Sequence, residues 1–353
     1  MTSLRPHVSV IIPNFNYAKY LDQRILSVLD QTFQNLEIIL LDDASTDKSV
    51  DVISRFASDP RVTTRFNKKN SGSVFKQWNL GVQMARGEYI WIAEADDLAE
   101  PKLLESLVRV LDANKSVGLA YCQSWKIDGD GQILGTMRFA ERWDRDFINN
   151  GREECRELLG TNFLTWGNTI PNASAVVFRR DVFQRTGGAP EWLRLNGDWY
   201  FYLQILSVSD VAFIAEPLNY YRQHDGTVRK ASVSNGTNLK EVYEVLRLSR
   251  RKDLLDRETF KERLRQLQMA WLGPREFQRL GLRNACWIFA TAVTFDFRVI
   301  VPFCLQVART IQLRLMAGLR TVLRRGLGPV GYRYLRKAVK GRQLETEIVQ
   351  DSK

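Results

Sequence analysis

The sequence predicts an α/β protein: a mainly parallel sheet flanked by helices, followed by a helical C-terminal extension. Three observations carry this. The runs VSVIIP (Val8–Pro13) and LEIILLDD (Leu36–Asp43) are continuously apolar and rich in β-branched residues, the mark of strands buried on both faces. They alternate with segments of helical spacing, as crossover units around a parallel sheet do. Beyond about Gly226 the strand signals stop, and the chain reads as helical and rich in arginine.

The elements follow in order. Lys19–Gln31 places Tyr20, Ile25, Val28 and Leu29 at helical spacing. Thr46–Phe56 reads as a helix after a Ser/Thr/Asp cluster suited to N-capping. Val62–Phe66 is a short third strand, Ser73–Arg86 a helix and Glu88–Ala93 a fourth strand. Pro101–Asn114 is a helix with proline at its start. Val117–Lys126 and Ala173–Phe178 read as strands, Gly197–Ser207 as a helix, and Val211–Ile214 and Leu218–Arg222 as two short strands. The pattern predicts an α/β domain over residues 1–226 and a helical, basic region over 227–353.

Composition narrows the partners. Fifty-one Lys+Arg against 40 Asp+Glu give a net charge of +11, which suits phosphates, nucleic acid or anionic lipid. The basic residues concentrate in the tail without a recognisable recognition module, so nucleic acid is not an expected partner. Cys122, Cys155, Cys286 and Cys304 show no metal-binding spacing and read as reduced thiols of a cytoplasmic protein. The start MTSLRP carries no secretory signal.

The chemistry is expected where the strands end, because open parallel sheets bind ligands beyond the carboxyl ends of their strands. Strand one ends in PNFNY, strand two in DDASTD and strand four in EADD, so Asp42, Asp43, Asp96 and Asp97 converge on one crevice with Glu94 beside them. Clustered carboxylates raise one another's pKa and repel. A hard cation, Mg²⁺ or Mn²⁺, offsets that repulsion and leaves coordination positions for substrate phosphates. A single aspartate here would read as an acidic cap for the next helix; three carboxylates and a second acidic pair favour the cation.

The segments VSVIIPNFNYAKYLDQRILSVLDQTFQNLEIILLDDASTD, NSGSVFKQWNLGVQMARGEYIWIAEADD, SAVVFRRDVFQRTGG, LNGDWYFYLQI and YRQH resemble, in order, the family-two glycosyltransferases of GT-A fold. The likeness spans about residues 7 to 228. It implies an inverting transfer of sugar from a nucleotide-diphosphate sugar to a hydroxyl of a saccharide or lipid-linked acceptor, in cell-surface polysaccharide or glycolipid synthesis. By that resemblance Asp43 accepts a hydrogen bond from the nucleotide base with Asp42 nearby, and Pro13 and Asn14 line the nucleotide pocket. Asp96 contacts ribose or metal, Asp97 ligates the metal, and Asp198 of the GDW segment is the catalytic base. Glu94 stands where many members have Asp, leaving its direct ligation open, and His224 matches a position that approaches the metal in some members.

Plainer readings stand beside these. Asp198 precedes an apolar helix and fits an N-cap; His224 fits a surface residue; Trp166 and Trp199 fit either an acceptor platform or the core. A non-catalytic nucleotide-sugar-binding or membrane scaffold protein would not need both Asp97 and Asp198. A sugar nucleotidyltransferase would carry a glycine-rich basic loop after strand one, and a dinucleotide oxidoreductase GxGxxG, where this chain has PNFNY.

The tail has its own expectation. Ala285–Val307 is apolar but interrupted by Asp296, Arg298 and Pro302. A charge at the bilayer centre costs about 2.5–3.5 kcal/mol on insertion scales, which disfavours a simple span. On a helical wheel of Val307–Arg325, Val307, Ile311, Leu315, Met316, Leu319, Val322 and Leu323 take one half. Arg309, Arg314, Arg320, Arg324 and Arg325 take the other or its edges, with Leu313 the exception. This predicts a helix lying on an anionic membrane surface, with peripheral attachment to the inner face of the cytoplasmic membrane; packing on the catalytic domain is the alternative.

Overall fold

The computed structural model describes residues 5–137, 144–159, 168, 170, 172–224, 236–313, 315–319, 321 and 325. Four parallel strands begin the chain: β1 (Val8–Asn14), β2 (Leu36–Asp42), β3 (Val62–Phe66) and β4 (Tyr89–Ile92). Every residue of β1, β2 and β4 is buried, as their unbroken apolar runs require. Helices α1 (Ala18–Leu29), α2 (Ser49–Phe56) and α3 (Val74–Met84) connect them.

The second half adds β5 (Leu98–Ala99), α4 (Leu103–Ala113), β6 (Val117–Ile127), β7 (Ile133–Thr136), β8 (Phe147–Asn149), α5 (Gly151–Leu158), β9 (Val176–Arg179), α6 (Arg180–Thr186), α7 (Gly197–Leu206) and β10 (Asp210–Arg222). All ten strands form one sheet of order β3-β2-β1-β4-β9-β6-β10-β5, with β7 on β6 and β8 on β10. β9 enters antiparallel between β4 and β6, so the sheet is parallel at β3-β2-β1-β4 and mixed beyond.

Two elements differ from expectation. The two short strands after Ser209 are a single 13-residue strand, β10, with register shifts at Pro217. Proline lacks the ladder donor, so the strand bulges there instead of ending. The strand expected over Ala173–Phe178 opens with a 3₁₀ turn, Ala173–Ala175, because the Asn172 side chain accepts the Ser174 N–H at 2.6 Å. That turn aims Asn172 and Ser174 at the acidic cluster.

The core lies between β1, β2 and β4 and the faces of α1 and α4, with Val10, Ile12, Ile25, Ile38, Trp91, Leu104 and Leu107 fully enclosed. Each such side chain contributes roughly 1.5–3 kcal/mol by burial. Trp199 is buried and belongs to the core; Trp166 lies outside the described residues.

The chain divides into two compact units, Met1–Leu267 and Gln268–Lys353. The first extends past residue 226 and includes α8 (Thr237–Arg251). α9 (Arg257–Leu272) and α10 (Pro274–Ala292) follow, the latter kinked at Gly281, whose φ of 74° suits glycine. In the second unit Phe289 stacks on Phe303 at 4.1 Å between centroids. The helical run Phe297–Leu319 is 23 residues, long and apolar enough to cross a membrane by length and composition. Val301, Leu305, Ile311, Leu315 and Leu319 on it are exposed.

Candidate active site

The ends of β1 and β2 are tied together. Their register sets Asn14 opposite Asp42, and Asn14 Nδ2 donates to Asp42 Oδ1 at 2.8 Å and to Ser45 Oγ at 3.1 Å. Pro13 is tolerated here because β1 pairs with β4 only through Ile11; its missing N–H falls beyond that ladder. Asp43, 4% exposed, accepts from Asn67 Nδ2, the Ser71 N–H, Ser71 Oγ and Gln77 Nε2 at 2.8–3.0 Å. These bonds fix the loop between β3 and α3, so Asp43 shapes this wall of the crevice as well as facing it.

The acidic cluster follows β4, where Ala93 N–H still donates to Ile11 O. The chain turns here, and the Asp97 N–H donates back to Glu94 O at 3.3 Å. Asp97 turns inward and is 2% exposed; its Oδ2 accepts from Ser174 Oγ (2.7 Å) and Asn172 Nδ2 (2.9 Å), and its Oδ1 from the Arg222 N–H (2.9 Å). Asp96 turns outward, and its Oδ2 lies 3.1 Å from His224 Nε2. His224 sits beside the rings of Tyr17 and Tyr20, at 5.8 and 5.3 Å between centroids. Glu94 Oε1 accepts from the Trp78 indole at 2.9 Å.

The electrostatics are those of negative charge gathered away from water. Burial, then Asp96 and Asp97, push the Glu94 carboxyl up to about 8, against the Trp78 hydrogen bond and the Arg24 charge. Burial and Asp96 raise Asp97 to about 6. Beneath the cluster lies Arg24, fully buried, its guanidinium 4.9 Å from the Trp91 ring centroid and without a hydrogen-bond partner among the described residues. Burial lowers its pKa to about 10, while Asp97, Asp96 and Glu94 hold it up. Arg24 is the fixed counter-charge of the cluster.

Asp198 stands in the first turn of α7. Its Oδ1 accepts the Trp199 N–H at 2.6 Å and its Oδ2 accepts from Asn168 Nδ2 at 3.1 Å. Gly197 permits this approach: a Cβ there would lie 2.3 Å from the Phe75 ring on α3. One turn on, the buried Tyr202 phenol has its pKa raised by burial and by the charges of both Asp198 and Glu94. Phe201 of α7 packs edge-on against Trp78, whose indole holds Glu94, so α7 lies beside the acidic cluster.

Pro13, Asn14, Asp42, Asp43, Glu94, Asp96, Asp97 and His224 thus sit at the ends of β1, β2, β4 and β10, with Asp198 in the first turn of α7. Protein donors hold both oxygens of Asp97, the expected metal ligand, and the turn at Ala95–Asp96 leaves Asp96 the more exposed of the two. Arg24, Asn172, Ser174 and Arg222 went unread. Only Arg24 left a signal, a charge inside the Leu21–Ile25–Val28 stripe of α1.

As a ligand set, Asp96 and His224 offer a carboxylate and an imidazole at one point, with two further carboxylates behind them. Among the described residues no group of three or more such side chains is arranged to hold an ion alone. A divalent cation held by this pair would have to take its remaining ligands from phosphates and water.

A sheet of this order with an acidic crevice at the carboxyl ends of β1, β2 and β4 defines an α/β enzyme of the GT-A class. The family model described as "Glycosyl transferase family 2" matches residues 9–187, and the chain belongs to that family; it is a glycosyltransferase. Glycosyltransferase GlyG of Streptococcus pneumoniae serotype 4 is 27% identical over 67% of this chain and 78% of its own length. Among solved structures, S. aureus TarS 1-349 in complex with UDP superposes with a TM-score of 0.60 at 18% identity, covering 83% of this chain and 82% of that one. The mannosyltransferase PcManGT of Pyrobaculum calidifontis, in complex with GDP-Man and Mn²⁺, gives 0.50 at 21% identity, covering 96% and 87%.

Proposed function

We propose that the protein moves a sugar from a nucleotide-diphosphate sugar to a hydroxyl of a saccharide or lipid-linked acceptor, with inversion, in the synthesis of a cell-surface polysaccharide or glycolipid. The observation that carries the reading is the pair Asp96–His224, backed by Glu94 and Asp97, beside α7, which carries Asp198 in its first turn. TarS and PcManGT, of like fold, are described with UDP and with GDP-Man and Mn²⁺, which supports a nucleotide-sugar donor here.

Asp96 and His224 would hold the divalent cation, Mg²⁺ or Mn²⁺. When bound, that cation supplies charge neutralisation for a departing diphosphate, an effect of several kcal/mol. Asp97 keeps the loop in place, holding Asn172, Ser174 and Arg222 while Asp96 faces outward. Pro13, Asn14, Asp42 and Asp43 form the nucleotide wall. Asp198 takes the proton from the acceptor hydroxyl as its oxygen attacks the anomeric carbon. A single base opposite the leaving group gives inversion in one displacement.

The exposed apolar side chains of Phe297–Leu319, with Arg298, Arg309 and Arg325 nearby, support peripheral attachment to an anionic membrane surface at the cytoplasmic face, beside a lipid-linked acceptor. The test is a screen of UDP- and GDP-sugars with Mn²⁺ or Mg²⁺ and saccharide acceptors, scored by nucleoside diphosphate release, with anomeric configuration of the product read by NMR. Retention of configuration, or no release with any donor, defeats the reading.

A further inference from the structure

The first four N–H groups of a helix have no partner within it and must be satisfied from elsewhere. α7, which carries Asp198 in its first turn, has no side-chain N-cap of its own: Asn196 at that place makes no capping bond. The segment leading into α7 is held instead from a distant element. Glu241 of α8, 5% exposed, accepts three consecutive backbone amides: Arg194 N–H to Oε1 at 2.7 Å, and Leu195 and Asn196 N–H to Oε2 at 2.9 and 2.7 Å. Asn196 Nδ2 donates to Asn238 Oδ1, one turn earlier on α8, at 2.9 Å.

A buried carboxylate is costly unless its oxygens are occupied. Here three charge-assisted hydrogen bonds occupy them, each stronger than a neutral one. The carboxylate lies on the packed face of α8, with Val242, Val245, Leu246 and Leu248, so its own position is set by the core. The backbone two to four residues before Asp198 is therefore pinned in three places to a rigid helix, and Gly197, the next residue in the chain, is closed in by the Phe75 ring. The nucleotide wall has a separate set of contacts, among Asn14, Asp42, Asp43 and the Ser71 loop.

We infer that Glu241 is a positioning residue that holds Asp198 at the angle and depth the acceptor hydroxyl requires, a role that rests on the reading of Asp198 as the base. Glu241 touches no reacting atom. Its removal lets the approach to α7 shift, and positioning losses fall on turnover and spare donor affinity.

The test is a double-mutant cycle in the full-length protein, Glu241→Gln and Asp198→Asn singly and together. UDP-N-acetylglucosamine, UDP-glucose, UDP-galactose and GDP-mannose are offered in turn with Mn²⁺, and deuterium uptake is followed alongside. Gln keeps the shape but presents N–H groups to N–H donors. Glu241→Gln is expected to lower kcat at least tenfold with donor KM within twofold, and to cost under twofold in the Asp198→Asn background. Exchange at Arg194–Asn196 is expected to rise at least tenfold while the Asn14–Thr46 region is unchanged.

An equal cost in both backgrounds, a loss expressed in donor KM, or unaltered exchange at Arg194–Asn196 overturns the inference. Asp198→Asn with near-normal kcat sinks the base itself and leaves the exchange result to decide the clamp. Wild type turning over none of the four donors does the same. Should Glu241→Gln fail to fold, Asn238→Ala removes one strut of the same clamp and is held to the same pattern at smaller size.

Discussion

Asp96 and His224 are 128 residues apart in the chain, and Asp96 Oδ2 meets His224 Nε2 at 3.1 Å. The sequence distance is closed by β10, which runs parallel to β6 and delivers Arg222 and then His224 to the loop after β4. If this pair holds the cation, Asp96→Asn and His224→Ala each weaken Mn²⁺ binding in the presence of UDP by tenfold or more. Paramagnetic resonance of free Mn²⁺ measures this. Unchanged affinity in both variants removes the pair from the ligand set.

Asp97 has a different expected phenotype. Its two oxygens hold three protein donors out of water, and each buried group left unpaired costs about 1–3 kcal/mol. Asp97→Asn is expected to lower Tm by several degrees as well as activity, whereas Asp96→Asn leaves Tm within a degree or two. Calorimetry of the two variants compares them. Equal stability of both would place Asp97 on the open side after all.

The Glu94 carboxyl, raised to about 8 from an ordinary 4.5, links stability to pH. The folded state keeps the proton over a range where the unfolded state has lost it, so ionisation opposes folding as pH rises from about 4.5 towards 8. Metal-free protein is expected to lose Tm over that range, and Glu94→Gln to lose less. The Tm difference between variant and wild type, read in EDTA at pH 6 and 8.5, must grow in the variant's favour. A constant difference contradicts the shift.

The fold was legible because buried parallel strands have an unmistakable composition: the runs at Val8–Pro13 and Leu36–Asp43 admit no amphipathic alternative. The strand-end location of the site followed from the fold. The division of labour between Asp96 and Asp97 did not, because it depends on which of the two the turn after Glu94 presents to Asn172 and Ser174, and those arrive from 75 and 77 residues away. Arg24 and Glu241 were illegible for a related reason. A charged residue on a helix's buried face looks like a flaw in the stripe until its tertiary partners are known.

For the tail, full-length protein is expected to float with liposomes containing anionic lipid at low salt, and Leu305→Asp with Leu315→Asp to abolish flotation. Both side chains are about two-thirds exposed, at 66% and 69%, so the substitutions cost the fold little. Flotation unaffected by the pair, or absent from wild type, assigns the apolar face to another role.

Asp198→Asn is expected to lower kcat by roughly 10²-fold or more, the scale of general-base catalysis, with sugar-nucleotide affinity little changed. Near-normal kcat would return Asp198 to the status of a helix cap for Trp199.

The most direct measurement is nucleoside diphosphate release from the accepted sugar nucleotide and acceptor, with Mn²⁺ and then with excess EDTA, in wild type and in Asp96→Asn. The expected result is acceptor-dependent release with Mn²⁺ that vanishes in EDTA and in the variant. Full release in EDTA, or undiminished release by Asp96→Asn, contradicts a cation-assisted glycosyl transfer at this crevice.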